Sequence, residues 1–575
     1  MVGKLVRSLL PPGKEQAAKR KSMSQIEPAQ VDDGFGWIPD WRSFLADDWH
    51  EWEKALAEGK NGPGVLIGTT IGGQAALTPI ESILAVALTL RGANVHVLLC
   101  DSVLPACANS VGATPEEQAQ FAESGPSKCE WCSKSGRKTF EQLGLTVHRM
   151  SELLQADDYA EARKIAAHTP YESIRTLEID GLPVGEHAVA GALRYFGRGD
   201  LEGEEHGERI LRRYVEAAML TARAGMRLYK TNSIPFTLLN HGIYVPHGIL
   251  AAVAKSCQSK LSTWAVGYRK QCTVFSHDDT YHHTMLSEPT SAWEGLAWTS
   301  ELEAMTLEYL QSRWLGTNDW IYFTGEDPAL DAKKIAEEIG IDFAKPTIGF
   351  LTNVVWDAQL HYPANAFQSM MDCILKTVRY FGERPDVQLL IRVHPAELRG
   401  FVKSRQKVVD ELMRAFPELP KNVFVIPPES SISTYAAIQQ CNAAIIYGTK
   451  TGLELTSMGI PVIVAGEAWI RNKGLTLDAN TEEEYFALLD KLPFAESRLS
   501  EDKTRRAKMY AFHYFFRRMI PLGMLDPSSS SNVPYKVRPT RLSGFMPGAE
   551  PGLDVICDGI LKGTPFVYPA EKLLV

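Results

Sequence analysis

From Pro63 onward the chain alternates short apolar runs with longer stretches of helical periodicity. Val65-Leu66-Ile67-Gly68 is a buried-strand pattern, and the glycine-rich Thr69-Thr70-Ile71-Gly72-Gly73 follows it. Pro79 suits the first turn of a helix, where its missing N–H costs nothing; the helix runs through Glu81 and Leu88 to Gly92. Asn94 to Asp101 is the next strand, ending in a carboxylate. Strand, glycine loop, helix and strand form a βαβ unit, which requires a parallel sheet. Before Pro63 the chain is polar and punctuated by Pro and Gly, apart from an amphipathic segment from Trp41 to Leu56.

A second series begins near Lys345. Strands are expected at Thr347–Leu351, Val387–Val393, Asn422–Ile426, Ala443–Tyr447 and Ile460–Val464. Helices are expected at Ala366–Phe381, Ile432–Gln440 and Gly452–Met458. The expected fold class is therefore α/β: two Rossmann-like domains with parallel sheets facing an interdomain cleft. The boundaries predicted are an N-terminal extension (1–62), a first Rossmann-like domain (63–330), a second Rossmann-like domain (345–495) and a helical tail (496–575). In open α/β sheets a ligand sits at the carboxyl ends of the strands, so the cleft is the expected site.

Composition narrows this picture. A chain of 575 residues with 45% hydrophobic content exceeds one compact core. A net charge of -9 argues against a broad nucleic-acid-binding face. No run reaches the length of a membrane helix. The basic N-terminal stretch MVGKLVRSLLPPGKEQAAKRK reads as a solvated tail, with peripheral membrane association as the alternative. Nine cysteines, an odd and sparse count, fit a reducing cytoplasm.

The densest motifs lie between Leu389 and Thr476. They are His394-Pro395 after a strand, Ser430-Ser431 after the next, Thr449-Lys450-Thr451-Gly452-Leu453-Glu454 opening a helix, Gly459-Ile460-Pro461-Val462, and Gly474-Leu475-Thr476. Backbone N–H groups at helix starts suit a phosphate, and small residues allow close approach. In this order the motifs resemble the C-terminal half of bacterial capsule-polysaccharide glycosyltransferases, the capsule Kdo transferases among them. The His-Pro and Ser-Ser pairs also resemble bacterial sialyltransferases and polysialyltransferases. The resemblance covers 345 to about 490 and implies a nucleotide-sugar donor, in some of these families CMP-linked. It implies that His394, Pro395, Ser430 and Ser431 hold the donor phosphate, and that Thr449, Thr451, Gly452 and Glu454 line the nucleotide. No catalytic metal is expected.

The first half carries its own cluster. Five histidines fall within 43 residues that include His241, His247 and His277-Asp278-Asp279. Transfer with inversion needs a base to take the acceptor proton, and His241, His277 and Asp278 are the candidates. Arg269 and Lys270 suit an anionic acceptor or the donor phosphates. Cys100, Cys107, Cys129 and Cys132 include a CxxC and form a candidate structural zinc site. The segment from Lys508 to Arg518 is aromatic and Arg-rich, expected to pack, with an interfacial membrane helix as the alternative.

The sequence thus predicts a bacterial, cytoplasmic glycosyltransferase, placed at the inner face of the cytoplasmic membrane. It would move a sugar from a nucleotide-sugar donor to a glycan or lipid-linked acceptor, inverting and metal-independent. A nucleotide-sugar epimerase and a non-catalytic glycan- or nucleotide-binding partner of an assembly complex are the alternatives. The donor base, the sugar and the acceptor stay open.

Overall fold

The computed structural model describes residues 35–314, 318–319, 331–357, 365–400, 402–528 and 535–573. The basic N-terminal tail, residues 326–330 of the expected domain join at 326–345, and Ser529 to Ser531 lie outside them.

The first sheet contains β1 (Gly64–Thr70), β2 (Asn94–Leu99), β3 (Thr146–Arg149), β4 (Phe236–Asn240), β5 (Lys260–Val266) and β6 (Cys272–His277). Their order is β6-β5-β4-β1-β2-β3, and the short strand Ile520–Pro521 closes the β6 edge. The first five are mutually parallel, whereas β6 runs antiparallel to β5 and Ile520–Pro521 antiparallel to β6. The second sheet contains β7 (Thr347–Leu351), β8 (Gln388–Arg392), β9 (Val423–Ile426), β10 (Ala443–Ile446), β11 (Val462–Val464) and β12 (Leu477–Asp478). Its order is β12-β11-β10-β7-β8-β9, all parallel. Both sheets follow the doubly wound order 3-2-1-4-5-6, so each has one switch point, between β1 and β4 and between β7 and β10.

Burial explains why these segments are strands. Val65, Leu66 and Ile67 are wholly buried, as are Leu389, Leu390 and Ile391, because helices cover both faces of each sheet. The helices Val184–Phe196 and Gly207–Thr231 cover one face of the first sheet. Gly72 has a steric reason: a Cβ there would lie 2.4 Å from the Cα of Gly136, where the loop presses on the helix Cys129–Phe140. That loop is filled by the chain itself.

The segment after residue 496 joins the two domains. The helix Glu501–Phe512 passes into a π-helical turn, His513–Arg518, before Ile520 enters the first sheet. Tyr510, Phe512 and Phe515 are wholly buried and share one apolar core with Trp264 of the first sheet and Ile446 of the second. This corrects the alternative of an interfacial membrane helix, since these rings are spent on the interior. Among the described residues no helix is long and apolar enough to cross a membrane.

Candidate active site

A cavity of about 390 Å³ opens at the carboxyl ends of β7, β8 and β10, the switch point of the second sheet. The loops after these strands supply Thr352, Asn353, Asp357, His394, Pro395, Thr449, Lys450 and Thr451. Arg194, Tyr268 and His282 of the first domain form the facing wall. The two sides of the switch point are tied together where Gly448 N–H donates to Asn353 Oδ1 over 3.3 Å.

His394 is the best defined of these groups. Its own N–H donates to Thr352 Oγ1 over 2.9 Å, which holds the end of β8 against the end of β7. Its Nδ1 accepts the backbone N–H of Ala396 at 3.0 Å. Nδ1 therefore carries no proton, and the ring hydrogen resides on Nε2. Burial, together with the charges of Lys450 and Arg392, pushes the ring pKa down to about 3, so the ring is neutral. A neutral ring with Nε2–H is a hydrogen-bond donor, suited to a phosphate oxygen. Pro395 caps the short helix Ala396–Arg399 and lines the cavity beside it.

Thr449 and Thr451 also line the cavity, their hydroxyl oxygens 3.1 Å apart, and Thr451 N–H donates to Thr449 Oγ1 over 3.3 Å. Lys450 lies between them, its ammonium 4.4 Å from the centre of the Tyr268 ring. Burial, and then Arg313, lower its pKa, while Glu454 opposes them.

Glu454, expected to meet sugar hydroxyls, has another task. It is 2% exposed and pairs with Arg313 Nε at 3.1 Å and Lys450 Nζ at 3.3 Å, and it accepts the Tyr435 hydroxyl. Burial alone would raise its pKa, but Arg313 and Lys450 overcome that and hold it ionised. Arg313 also pairs with Asp319, which accepts the Tyr309 hydroxyl over 2.5 Å. This cluster fastens the helix Ser300–Trp314 to the second domain, and the stacked Trp314 and Tyr435 rings, 5.4 Å apart, extend the seam. Gly452 is likewise structural: a Cβ there would lie 2.4 Å from Ile446 Cδ1.

Ser430 and Ser431 do not line the cavity. Ser430 Oγ accepts the backbone N–H of Ile432 over 3.2 Å, and Ser431 is exposed. Their loop instead anchors Arg392, whose guanidinium donates to Pro427 O (2.6 Å), Ser430 O (3.4 Å) and Thr434 Oγ1 (3.2 Å). Thr434 takes the place at the wall that the serines were expected to fill.

The first domain's histidines divide. His241 directly follows β4 in left-handed backbone (φ 60°), with Nδ1 shielded from solvent and without a hydrogen-bond partner. Burial, and then Arg194, push its pKa down to about 4. It packs behind the wall against Tyr244, Tyr281 and His282. His282 reaches the cavity itself, where Trp469 Nε1–H donates to its Nδ1 over 3.3 Å. His277 does not reach the cleft: β6 is antiparallel to β5, so its last residue lies opposite Ser262, at the start of β5. There His277 stacks on Phe566, 4.3 Å between ring centres, and its Nε2 meets Thr564 O at 2.9 Å. Asp278 follows it, exposed, with its N–H on Leu261 O. Neither is placed to act on an acceptor. Arg269 turns away too, its Nε 3.3 Å from Cys272 Sγ and its guanidinium over Phe516, and Lys270 is exposed. The cationic residues that line the cavity are Arg194, Arg313, Arg392 and Lys450.

Arg194 and Asp357 are among the cavity residues that motif reasoning missed. Arg194 lies in the last turn of the helix Val184–Phe196, and Asp357 lies in the loop after the first strand of the second sheet. Switch-point topology alone marks that loop as ligand-facing. Tyr244 Oη donates to Asp357 Oδ1 over 3.0 Å, a bond that spans the cleft.

The four cysteines stay free thiols, and among the described residues no three His, Cys, Asp or Glu side chains form a group able to hold a metal ion. Gly73 N–H donates to Cys132 Sγ over 3.2 Å, and burial pushes the Cys100 and Cys132 thiols up to about 12.

Fold and cleft together define a GT-B architecture. Residues 331–495 match the model of the family described as capsule polysaccharide biosynthesis protein. Solved structures similar to the chain include the Thermosulfurimonas dismutans KpsC beta Kdo 2,4 transferase, at 13% identity over 48% of this chain and 80% of that one, with a TM-score of 0.32. The beta Kdo 2,7 transferase of the same KpsC is 13% identical over 51% and 81%, with a TM-score of 0.31. The S. aureus MnaA-UDP structure is 9% identical over 78% and 90%, with a TM-score of 0.26. No curated protein matches the chain. The sialyltransferase resemblance rests on the motifs alone.

Proposed function

We propose that this chain is a glycosyltransferase of capsule polysaccharide synthesis, moving a sugar from a nucleotide-linked donor to a glycan or lipid-linked acceptor. The observation that carries the reading is the cavity at the second sheet's switch point. There a neutral histidine with its Nε2 hydrogen, a lysine and two threonine hydroxyls converge opposite a wall from the other domain. The family match over 331–495 supports the same reading.

In this reading the donor phosphate lies against His394, Thr449, Lys450 and Thr451. Negative charge grows on the phosphate oxygen as the sugar departs, and preorganised donors in a water-poor cleft stabilise it. The acceptor enters from the first domain's side, past Arg194 and His282. The transfer proceeds by direct displacement with inversion, and the protein's own cations serve the leaving phosphate without a metal. His241 acts from behind the wall by fixing the Tyr244 and His282 rings. The enzyme works in the cytoplasm, where activated sugars are available, beside the membrane that carries the growing glycan.

The test is turnover. The purified chain is incubated with labelled nucleotide sugars, with and without capsule oligosaccharides. Transfer of label to the oligosaccharide, lost in Lys450→Ala, supports the reading. Donor conversion to an epimer without acceptor, or donor binding without turnover, would replace it with the epimerase or the binding partner.

A further inference from the structure

Resting on the transferase reading for what enters the cavity, we infer that two loops from opposite domains, 197–204 and 402–407, form a clasp that shuts it. Arg405 and Gln406 are then the positioning residues that close the first domain's wall over the donor site.

The clasp is built of polar bonds. Arg405 N–H donates to Gly197 O over 2.9 Å, and Gly199 N–H donates to Gln406 Oε1 over 2.8 Å. The Gln406 amide donates in turn to Asp200 Oδ2 over 2.8 Å, and Arg405 Nη1 to Glu204 Oε2 over 2.7 Å. Glu204 is braced on its own side by Arg198, 3.2 Å away. The backbones meet closely as well. Gly197 ends the helix Val184–Phe196 with φ 62°, and a Cβ there would strike Lys403 O.

These bonds stand beside the cavity. Arg194, in the last turn of the helix that Gly197 ends, lines it, and so do Gly400 and Val402 where the other loop begins. Trp469 lines it too, but packs on Tyr514 and accepts the Tyr510 hydroxyl at its carbonyl, so its side belongs to the tail. The two sides differ in kind. On the tail side one apolar core runs through both domains, from Trp264 to Ile446. At the clasp the cores stay separate: Phe196 and Leu201 pack into a core of first-domain residues, and Val408 into one of second-domain residues. Parting the tail side would put apolar surface into water, whereas the clasp bonds can be exchanged for bonds to water at little net cost. The tail side is therefore the hinge, and the clasp is the edge that opens. A nucleotide sugar enters and leaves there, and closure brings the wall that carries Arg194 up to the loops that carry His394 and Lys450.

The experiment is hydrogen exchange on the full chain, read at four amides. Those of Gly199 and Arg405 donate across the cleft, whereas those of Ser404 and Val408 donate to Glu397 within the second domain. Opening frees the first two and leaves the others bonded, so Gly199 and Arg405 are expected to exchange sooner in the ligand-free chain. Arg405→Ala should speed exchange at Gly199 by about 3–30-fold, between the worth of an exposed ion pair and that of a hydrogen bond to a buried charged group. Gly197→Ala should act in the same direction by steric means, with Ser404 and Val408 unmoved in both variants. Arg405→Lys, which keeps the charge, should restore most of the protection. A fluorescent form of whichever of CMP, UDP, GDP and dTDP binds should leave Arg405→Ala faster than wild type by the same factor, because release waits on opening. Arg223→Ala, which breaks ion pairs to Glu161 and Asp180 inside the first domain, should change neither rate. Exchange of all four amides together, or exchange at Gly199 and nucleotide release both unchanged in Arg405→Ala, would overturn the inference. If no nucleotide binds the wild-type chain, the donor-site reading has failed instead, and the ligand-free exchange still decides the clasp.

Discussion

The backbone N–H of Ala396 lies 3.0 Å from Nδ1 of His394, and that bond decides which ring nitrogen carries the proton. The Nε2 hydrogen is present at every pH where the ring is neutral, and the ring's pKa is pushed down to about 3. The ratio of donor affinity between wild type and His394→Ala should therefore stay constant, within about twofold, from pH 5.5 to 8.5. A ratio that grows steadily below pH 6.5 would show a cationic ring. Calorimetric titration at four pH values checks this.

Five histidines, His96, His187, His241, His247 and His394, share the same direction of shift, to about 4 for the first four and about 3 for the last, with burial the largest cause. Each is neutral when folded and titrates near 6.5 when unfolded. Their contribution is complete above pH 6.5 and is lost as the pH falls from there toward the folded values. Stability should decline below pH 6.5, with uptake of close to one proton per ring on unfolding at pH 5. Denaturant melts from pH 5 to 8 measure the slope. A flat profile down to pH 5 would contradict these shifts.

Glu454 holds two cations in a buried cluster. Removing one partner of a buried ion pair leaves charge uncompensated, so Glu454→Gln should cost about 3–5 kcal/mol. The loss is to be read from urea melts. In a double-mutant cycle with Arg313→Met the two losses should fall short of additivity, because they break one pair.

His277 and Asp278 lie at the far end of β5 from the cavity. His277→Ala and Asp278→Ala should leave donor affinity and turnover within about twofold of wild type. His277→Ala should still lower stability by about 0.5–1.5 kcal/mol, through loss of the ring stack on Phe566. A large fall in turnover with unchanged stability would return them to the site.

Apolar periodicity made β1 and β2 of the first sheet and β7 to β11 of the second legible, because strands buried on both faces read as continuous runs such as Leu389-Leu390-Ile391. It also made His394 legible, since a His-Pro pair directly after a strand must stand at the ligand end of a parallel sheet. The limits were equally physical. His277 read as cleft-facing because the sequence does not show that β6 runs antiparallel, which puts its last residue at the wrong end. Glu454 read as a ligand contact because its partners, Arg313 and Tyr435, are distant in sequence. CxxC spacing was legible as a pair, but only packing shows that Cys132 serves the glycine loop at Gly73. Asp357 carries no motif. Its cross-cleft hydrogen-bond donor, Tyr244, is 113 residues away.

The central claim, a nucleotide-sugar site at His394 and Lys450, is tested most directly by calorimetric titration of the full chain with CMP, UDP, GDP and dTDP. The account predicts that one nucleotide binds clearly better than the others. His394→Ala should weaken that binding by about 10–100-fold, the loss expected for one hydrogen bond to a charged group. Binding of none of the four, or binding that His394→Ala leaves unchanged, would contradict it.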